Sequence, residues 1–113
     1  MPILIGYASR KLEKICLQTR AARKSLPQNV ADLLPQRLRE LVAFASLAAI
    51  PPGTPLHFHP LTANWAGHFA VSIDKRYRIV FRPAGDFETL EEGGTNLATV
   101  TAITIVGVED YHG

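Results

Sequence analysis

Gly67-His68-Phe69-Ala70-Val71-Ser72-Ile73-Asp74-Lys75-Arg76-Tyr77-Arg78-Ile79-Val80-Phe81-Arg82 decides the fold. Phe69, Val71 and Ile73 alternate with smaller or polar residues, and Tyr77, Ile79 and Phe81 alternate with Arg76, Arg78, Val80 and Arg82. A period of two belongs to a strand with one buried face, and Asp74-Lys75 is turn chemistry. The stretch therefore predicts a β-hairpin with one apolar face and one arginine-rich face. Downstream, residues 83–96 are polar, acidic and glycine-containing, as in a loop. Residues 99–108 are apolar on both faces, which predicts a central strand leading into Asp110-Tyr111-His112. By alternation, Asp110 and His112 share a face.

Upstream, residues 56–59 read as a short extended segment stopped by Pro60. Before Pro51-Pro52-Gly53 the period lengthens. Ser9 can cap a helix running to about Leu26, with Leu12, Ile15, Cys16, Thr19 and Ala22 on one face and Arg10, Lys14, Arg20 and Lys24 around the rest. A second helical pattern carries Val30, Leu34, Leu38, Leu41, Val42, Ala45 and Ala49. Pro35 lies inside it, which predicts a kink or a fresh helix start. Residues 2–6 read as a buried strand. The prediction is one α+β domain over residues 1–113, in the order β-α-α-β-β-β-β, with two N-terminal helices packed on a small, mainly antiparallel sheet.

The bulk properties narrow the function. An apolar content of 47% with 19% charged residues excludes a disordered chain. A single cysteine excludes an internal disulfide and a cysteine-cluster zinc site. The longest apolar run, residues 41–50, is far shorter than a bilayer span, so no membrane partner is expected. The N-terminus resembles no signal peptide, and a cytoplasmic location is the expectation. The net charge of +2 conceals an asymmetry: residues 1–82 hold twelve Lys and Arg against four acids, and residues 83–113 hold six acids and no Lys or Arg. A basic body suits a polyanion, since Lys and Arg gain affinity by releasing phosphate counterions.

Four segments then carry a family resemblance: His59-Pro60-Leu61, Trp65-Ala66-Gly67-His68-Phe69-Ala70-Val71, Tyr77-Arg78-Ile79-Val80-Phe81 and Glu109-Asp110-Tyr111-His112. In this order and spacing they resemble the RelE/ParE toxin superfamily, and most closely its HigB-like branch from type II toxin–antitoxin systems. Residues 1–50 match only in element order. The resemblance implies an mRNA endonuclease that acts on the ribosome with neither metal nor cofactor. It also implies a cognate antitoxin, HigA-like with a helix-turn-helix module. Matched position by position, His59, Arg78, Arg82, Asp110 and His112 take catalytic places, and Tyr111 takes a substrate-binding one. There is one departure. Family members usually follow the histidine-leucine segment with Lys-Gly, where this chain has Thr62 and Ala63. The departure either weakens activity or shifts the electrostatic work to Lys75 and Arg76, as substrate-binding residues, or to the strand arginines.

Metal-free RNA scission requires activation of a ribose 2′-OH, protonation of the leaving 5′-oxygen and stabilisation of a phosphorane. Histidine suits the first two roles and arginine the third. Asp110 can orient an imidazole or act as base itself. Each residue also has a structural alternative. His59 can simply close a strand before Pro60, and Arg78 and Arg82 can be solvent-facing strand charges. Trp65 and Tyr77 fit core or rim packing better than base stacking. His57 and His59, two residues apart, permit a metal pair, but no third ligand is near in sequence. Two rival functions share the scaffold: a ParE-like gyrase inhibitor that cuts nothing, and a non-catalytic member acting through antitoxin binding.

Overall fold

The computed structural model describes residues 2–51 and 53–110. Its five-stranded sheet comprises β1 (Leu4–Tyr7), β2 (His59–Pro60), β3 (Phe69–Ser72), β4 (Tyr77–Pro83) and β5 (Ala102–Asp110), in the spatial order β1-β5-β4-β3-β2. Only the β1–β5 pair is parallel. The predicted hairpin forms in register, with Phe69 opposite Phe81 and Val71 opposite Ile79. Phe69, Val71, Ile73, Ile79 and Phe81 are buried on one face together with Ile103 and Ile105 of β5. Helices cover that face, as the α+β architecture requires.

Three helices stand where two were predicted: α1 (Arg10–Leu17), α2 (Thr19–Ser25) and α3 (Gln28–Val42). The Ser9 hydroxyl caps α1 by accepting from the Leu12 N–H at 3.1 Å, as expected. The predicted single helix breaks at Gln18, whose backbone is extended (φ −123°, ψ 112°). Beyond Leu17 the segment buries only Ala22, too little apolar surface to hold it on the α1 axis. It turns instead toward α3, where Arg23 donates to Asp32 at 3.0 Å.

Helix α3 buries Val30, Ala31, Leu34, Leu38 and Leu41, and it runs through Pro35 without a restart. It stops at Val42, short of the predicted Ala49, because other partners take its backbone groups. Phe44 C=O accepts from Ile3 N–H at 3.1 Å, and Leu47 N–H donates to Val100 C=O at 3.2 Å. A short 3₁₀ turn, Leu47–Ala49, follows.

Strand β5 is interior, as predicted, but its apolar character on both faces has a specific origin. The register slips between Val80 and Phe81: Val80 pairs with Gly107, and Phe81 pairs with Ile105. Val106 is the extra, bulged residue, so odd-numbered Ile103 and Ile105 face the core before the bulge and even-numbered Val108 after it. Residues 84–96 are less open than a bare loop. Thr89 bridges Thr95, and Leu90 N–H donates to Gly94 C=O at 2.6 Å.

Cys16 is buried on the core side of α1, and burial pushes its thiol up to about 12. A raised folded-state pKa stabilises the fold fully below the unfolded thiol value of about 8.5, and the gain is lost as pH rises toward the folded value. Between pH 8.5 and 11 (roughly the span separating these values), wild type should lose more melting temperature than Cys16→Ala. Parallel melting curves of the two proteins would refute this.

Candidate active site

The candidate site is an open cavity of about 650 Å³ lined by Arg37, Pro55, His57, His59, Ser72, Ile73, Asp74, Lys75 and Arg78. Its floor is the sheet face opposite the core. His59 pairs with Ala70, and Ser72 with Arg78, so alternation puts these side chains on one surface. The β3–β4 turn supplies Asp74 and Lys75, and α3 supplies Arg37.

Asp74 builds the turn. Its Oδ1 accepts from the N–H groups of Arg76 (2.9 Å) and Tyr77 (2.7 Å), and its Oδ2 accepts from the Asn29 amide at 3.1 Å. Burial alone would raise this carboxyl. The two backbone donors, the Asn29 amide and the Arg76 charge outweigh it and hold the carboxyl below the usual carboxylate range. Arg37 clamps the same turn, its Nε–H donating to the Ile73 carbonyl at 3.3 Å.

His59 and His57 form a positioned pair, but not the regular strand face that spacing alone suggests. His57 has φ 45°, the left-handed region that few non-glycine residues occupy, histidine more often than most. Leu56 is buried on one side of it, and on the other Phe58 stacks on Phe69 at 5.4 Å and Phe81 at 6.2 Å. These anchors sustain a backbone conformation costing about 1–3 kcal/mol. Its product is a carbonyl aimed at the next imidazole: His59 Nδ1 lies 2.6 Å from His57 C=O. A carbonyl only accepts, so Nδ1 carries the proton and Nε2 of the neutral ring holds the lone pair. The arrangement leaves Nε2 as the ring nitrogen able to accept a proton.

The other predicted residues divide. Arg78 lies in the cavity, its side chain 16% exposed and its Nη2 donating to Glu109 Oε1 at 3.0 Å. Lys75 lines the cavity and forms no ion pair among the described residues. Arg76 is exposed and reaches Asp110 Oδ2 at 2.7 Å. Asp110 pairs opposite Tyr77, on the core side of the strand end, and is not among the cavity-lining residues. Arg82 sits four residues along β4 from Arg78, exposed and also outside the cavity lining. Tyr111 and His112 lie outside the described residues. Trp65 packs edge-on against His68 at 5.1 Å, away from the cavity lining. No group of three or more His, Cys, Asp or Glu able to hold a metal occurs among the described residues.

Sequence reasoning missed Arg37 and Glu109. Arg37 sits three residues after Leu34 and four before Leu41, at the flank of the buried α3 stripe, and that position was the available signal. Glu109 faces Arg78 only because of the β5 bulge.

No protein-family model matches the chain, and no curated protein matches it. Solved structures do. The YoeB/ParE toxin from Agrobacterium tumefaciens aligns over 96% of this chain and 98% of its own, with TM-score 0.54 and 11% identity. YafQ from E. coli strain BL21(DE3) aligns over 96% of this chain and 92% of its own, with TM-score 0.51 and 11% identity. A point mutant of E. coli YafQ gives the same values. The chain has the fold of these toxins, the fold that the RelE/ParE resemblance implies. Among the described residues no helix is long and apolar enough to cross a membrane.

Two outcomes follow from this geometry. Because the Asp74 pKa is depressed, its charge stabilises the fold above the unfolded value of about 3.9 and stops doing so as pH falls through the folded value. Asp74→Asn should melt below wild type at neutral pH, with the gap closing in acid; a gap that stays constant with pH would refute the charge argument. Ala63 has φ 56° where the resembling family has glycine. Ala63→Gly should raise unfolding free energy by up to about 1 kcal/mol in denaturant titration, and a loss of stability would contradict the strain.

Proposed function

We propose that the chain is the toxin of a type II toxin–antitoxin pair: a HigB-like, metal-independent endoribonuclease that cuts mRNA on the ribosome. The observation that carries this reading is the cavity that gathers a tautomer-fixed His59 with Arg78 and Lys75. In this mechanism His59 Nε2 takes the proton of the ribose 2′-OH. The 2′-oxygen attacks the adjacent phosphorus, forming a 2′,3′-cyclic phosphate as the bond to the 5′-oxygen breaks. Arg78 and Lys75 neutralise the phosphorane oxygens. His112 protonates the leaving 5′-oxygen, and Tyr111 contacts the substrate.

Arg76 and Asp110 brace the strand end that leads to those two residues. Arg82 lies roughly 13 Å along the strand from Arg78, so it meets a neighbouring phosphate rather than the scissile one. A second groove of about 440 Å³ is lined by Ile5, Tyr7, Leu17, Leu38 and Val42, with Arg39 among the lining residues. We assign it to the HigA-like antitoxin.

The test is cleavage of mRNA by purified protein on programmed ribosomes, followed by primer extension. Wild type should cut within codons, and His59→Ala should lose about a hundred- to ten-thousand-fold in rate, the usual contribution of a positioned acid or base. His57→Ala, which keeps the backbone carbonyl, should lose far less. Equal cutting by wild type and His59→Ala would sink the mechanism. Growth arrest with intact mRNA and blocked DNA supercoiling would identify the gyrase-inhibitor alternative.

A further inference from the structure

We propose that Arg37, a helix residue, completes a phosphate-binding site with Lys75 and Arg78. It would supply the cationic contact that Thr62 cannot. The identity of the anion, a phosphate of an RNA backbone, rests on the nuclease reading above; the site itself rests on geometry.

Arg37 is only 14% exposed at its side chain, and it lines the cavity. Two of its nitrogens are committed. Nε donates to Ile73 C=O at 3.3 Å, and Nη1 donates to Glu40 Oε1 at 2.6 Å. These bonds fix the plane of the guanidinium, while Nη2 donates to no group among the described residues. A guanidinium offers five N–H donors in a rigid fork, so immobilising one part pre-aims the rest at little further entropic cost.

Charge supports the assignment. Three cations, Arg37, Lys75 and Arg78, surround one cavity with a single lining carboxylate, Asp74. Asp74 already accepts from two backbone N–H groups and the Asn29 amide. Glu40 and Glu109, the counterions of the two arginines, are not among the lining residues. The cavity thus presents an excess of positive charge, which an entering phosphate relieves. The position of the absent lysine offers no replacement: Thr62 is exposed and does not line the cavity.

A purely mechanical role, clamping α3 to the turn, predicts different behaviour. The first measurement is an NMR titration with inorganic phosphate, following the arginine Nε–Hε signals of wild type, Arg37→Gln and Glu40→Gln. The second is fluorescence anisotropy with a single-stranded RNA carrying a 2′-deoxy block. Arg37 should shift on adding phosphate. Arg37→Gln should bind the RNA about tenfold more weakly or worse, as expected for a lost charge-assisted bond. Its salt slope should fall by about 0.7, the value for one single-strand phosphate contact. Glu40→Gln, which removes the competing carboxylate, should bind phosphate more tightly.

Should Arg37→Gln fail to fold, Glu40→Gln still decides: unchanged phosphate affinity overturns the proposal. Unchanged RNA affinity in a folded Arg37→Gln also overturns it, while leaving the nuclease reading intact if wild type cuts mRNA. Phosphate binding at Arg37 in a wild type that cuts no RNA upholds this site and removes the nuclease reading instead.

Discussion

Strand β4 works under one constraint: it is hydrogen-bonded on both sides, to β3 and β5, while its alternate residues belong to incompatible environments. Ile79 and Phe81 are fully buried in the core, while Arg78 and Arg82 face the other way. A slip of one residue would drive both guanidinium groups into the core and expose a phenylalanine. Few alternative registers survive that penalty. Because β3 is locked to β4, and β2 to β3, the same register places His59 on the face that carries Arg78. Core formation and site assembly are therefore one event.

The bulge on β5 is the second half of that constraint. It lets one strand present Ile103 and Ile105, then Val108, to a single core although their numbering changes parity. Glu109 is thereby turned toward Arg78 and Asp110 toward Tyr77. A bulge-free ladder continuing from Phe81–Ile105 would pair Tyr77 with Glu109 and Arg78 with Val108, and the partnership of Arg78 with Glu109 would be lost. That Glu109 faces Arg78 is set by one extra residue, Val106, beside a glycine that costs the bend little.

The sequence made legible what depends on period and on caps: the hairpin, the Ser9 cap, the helical stripe of Leu34, Leu38 and Leu41, and an interior final strand. These features rest on local or short-range physics. What stayed hidden rests on tertiary competition. The break at Gln18 follows from how little apolar surface the next seven residues offer, and the early end of α3 from backbone groups captured by Ile3 and Val100. The left-handed backbone at His57 has too weak a propensity signal to predict, since histidine enters that region more often than most residues but still in a minority of cases, and the packing of Leu56 and Phe58 decides it. Arg78 and Lys75 were legible as neighbours on one face of the hairpin because strand alternation and turn chemistry place them, and both line the cavity. Arg37 was not, because reaching the site requires α3 and the β3–β4 turn to meet.

Charge distribution ties these pieces together. A cluster of cations is costly in a folded chain unless its counterions are near, yet counterions inside the cavity would compete with any anionic ligand. The chain separates the two demands. Glu40 and Glu109 hold Arg37 and Arg78 without lining the cavity, and Asp74, which does line it, is saturated by the turn it builds. The acidic segment with Asp86, Glu88, Glu91 and Glu92 follows the end of β4 remote from Arg78, and none of these carboxylates lines the cavity. Most of the acids that offset the chain's positive charge thus stand outside the cavity lining, which keeps three cations against one carboxylate.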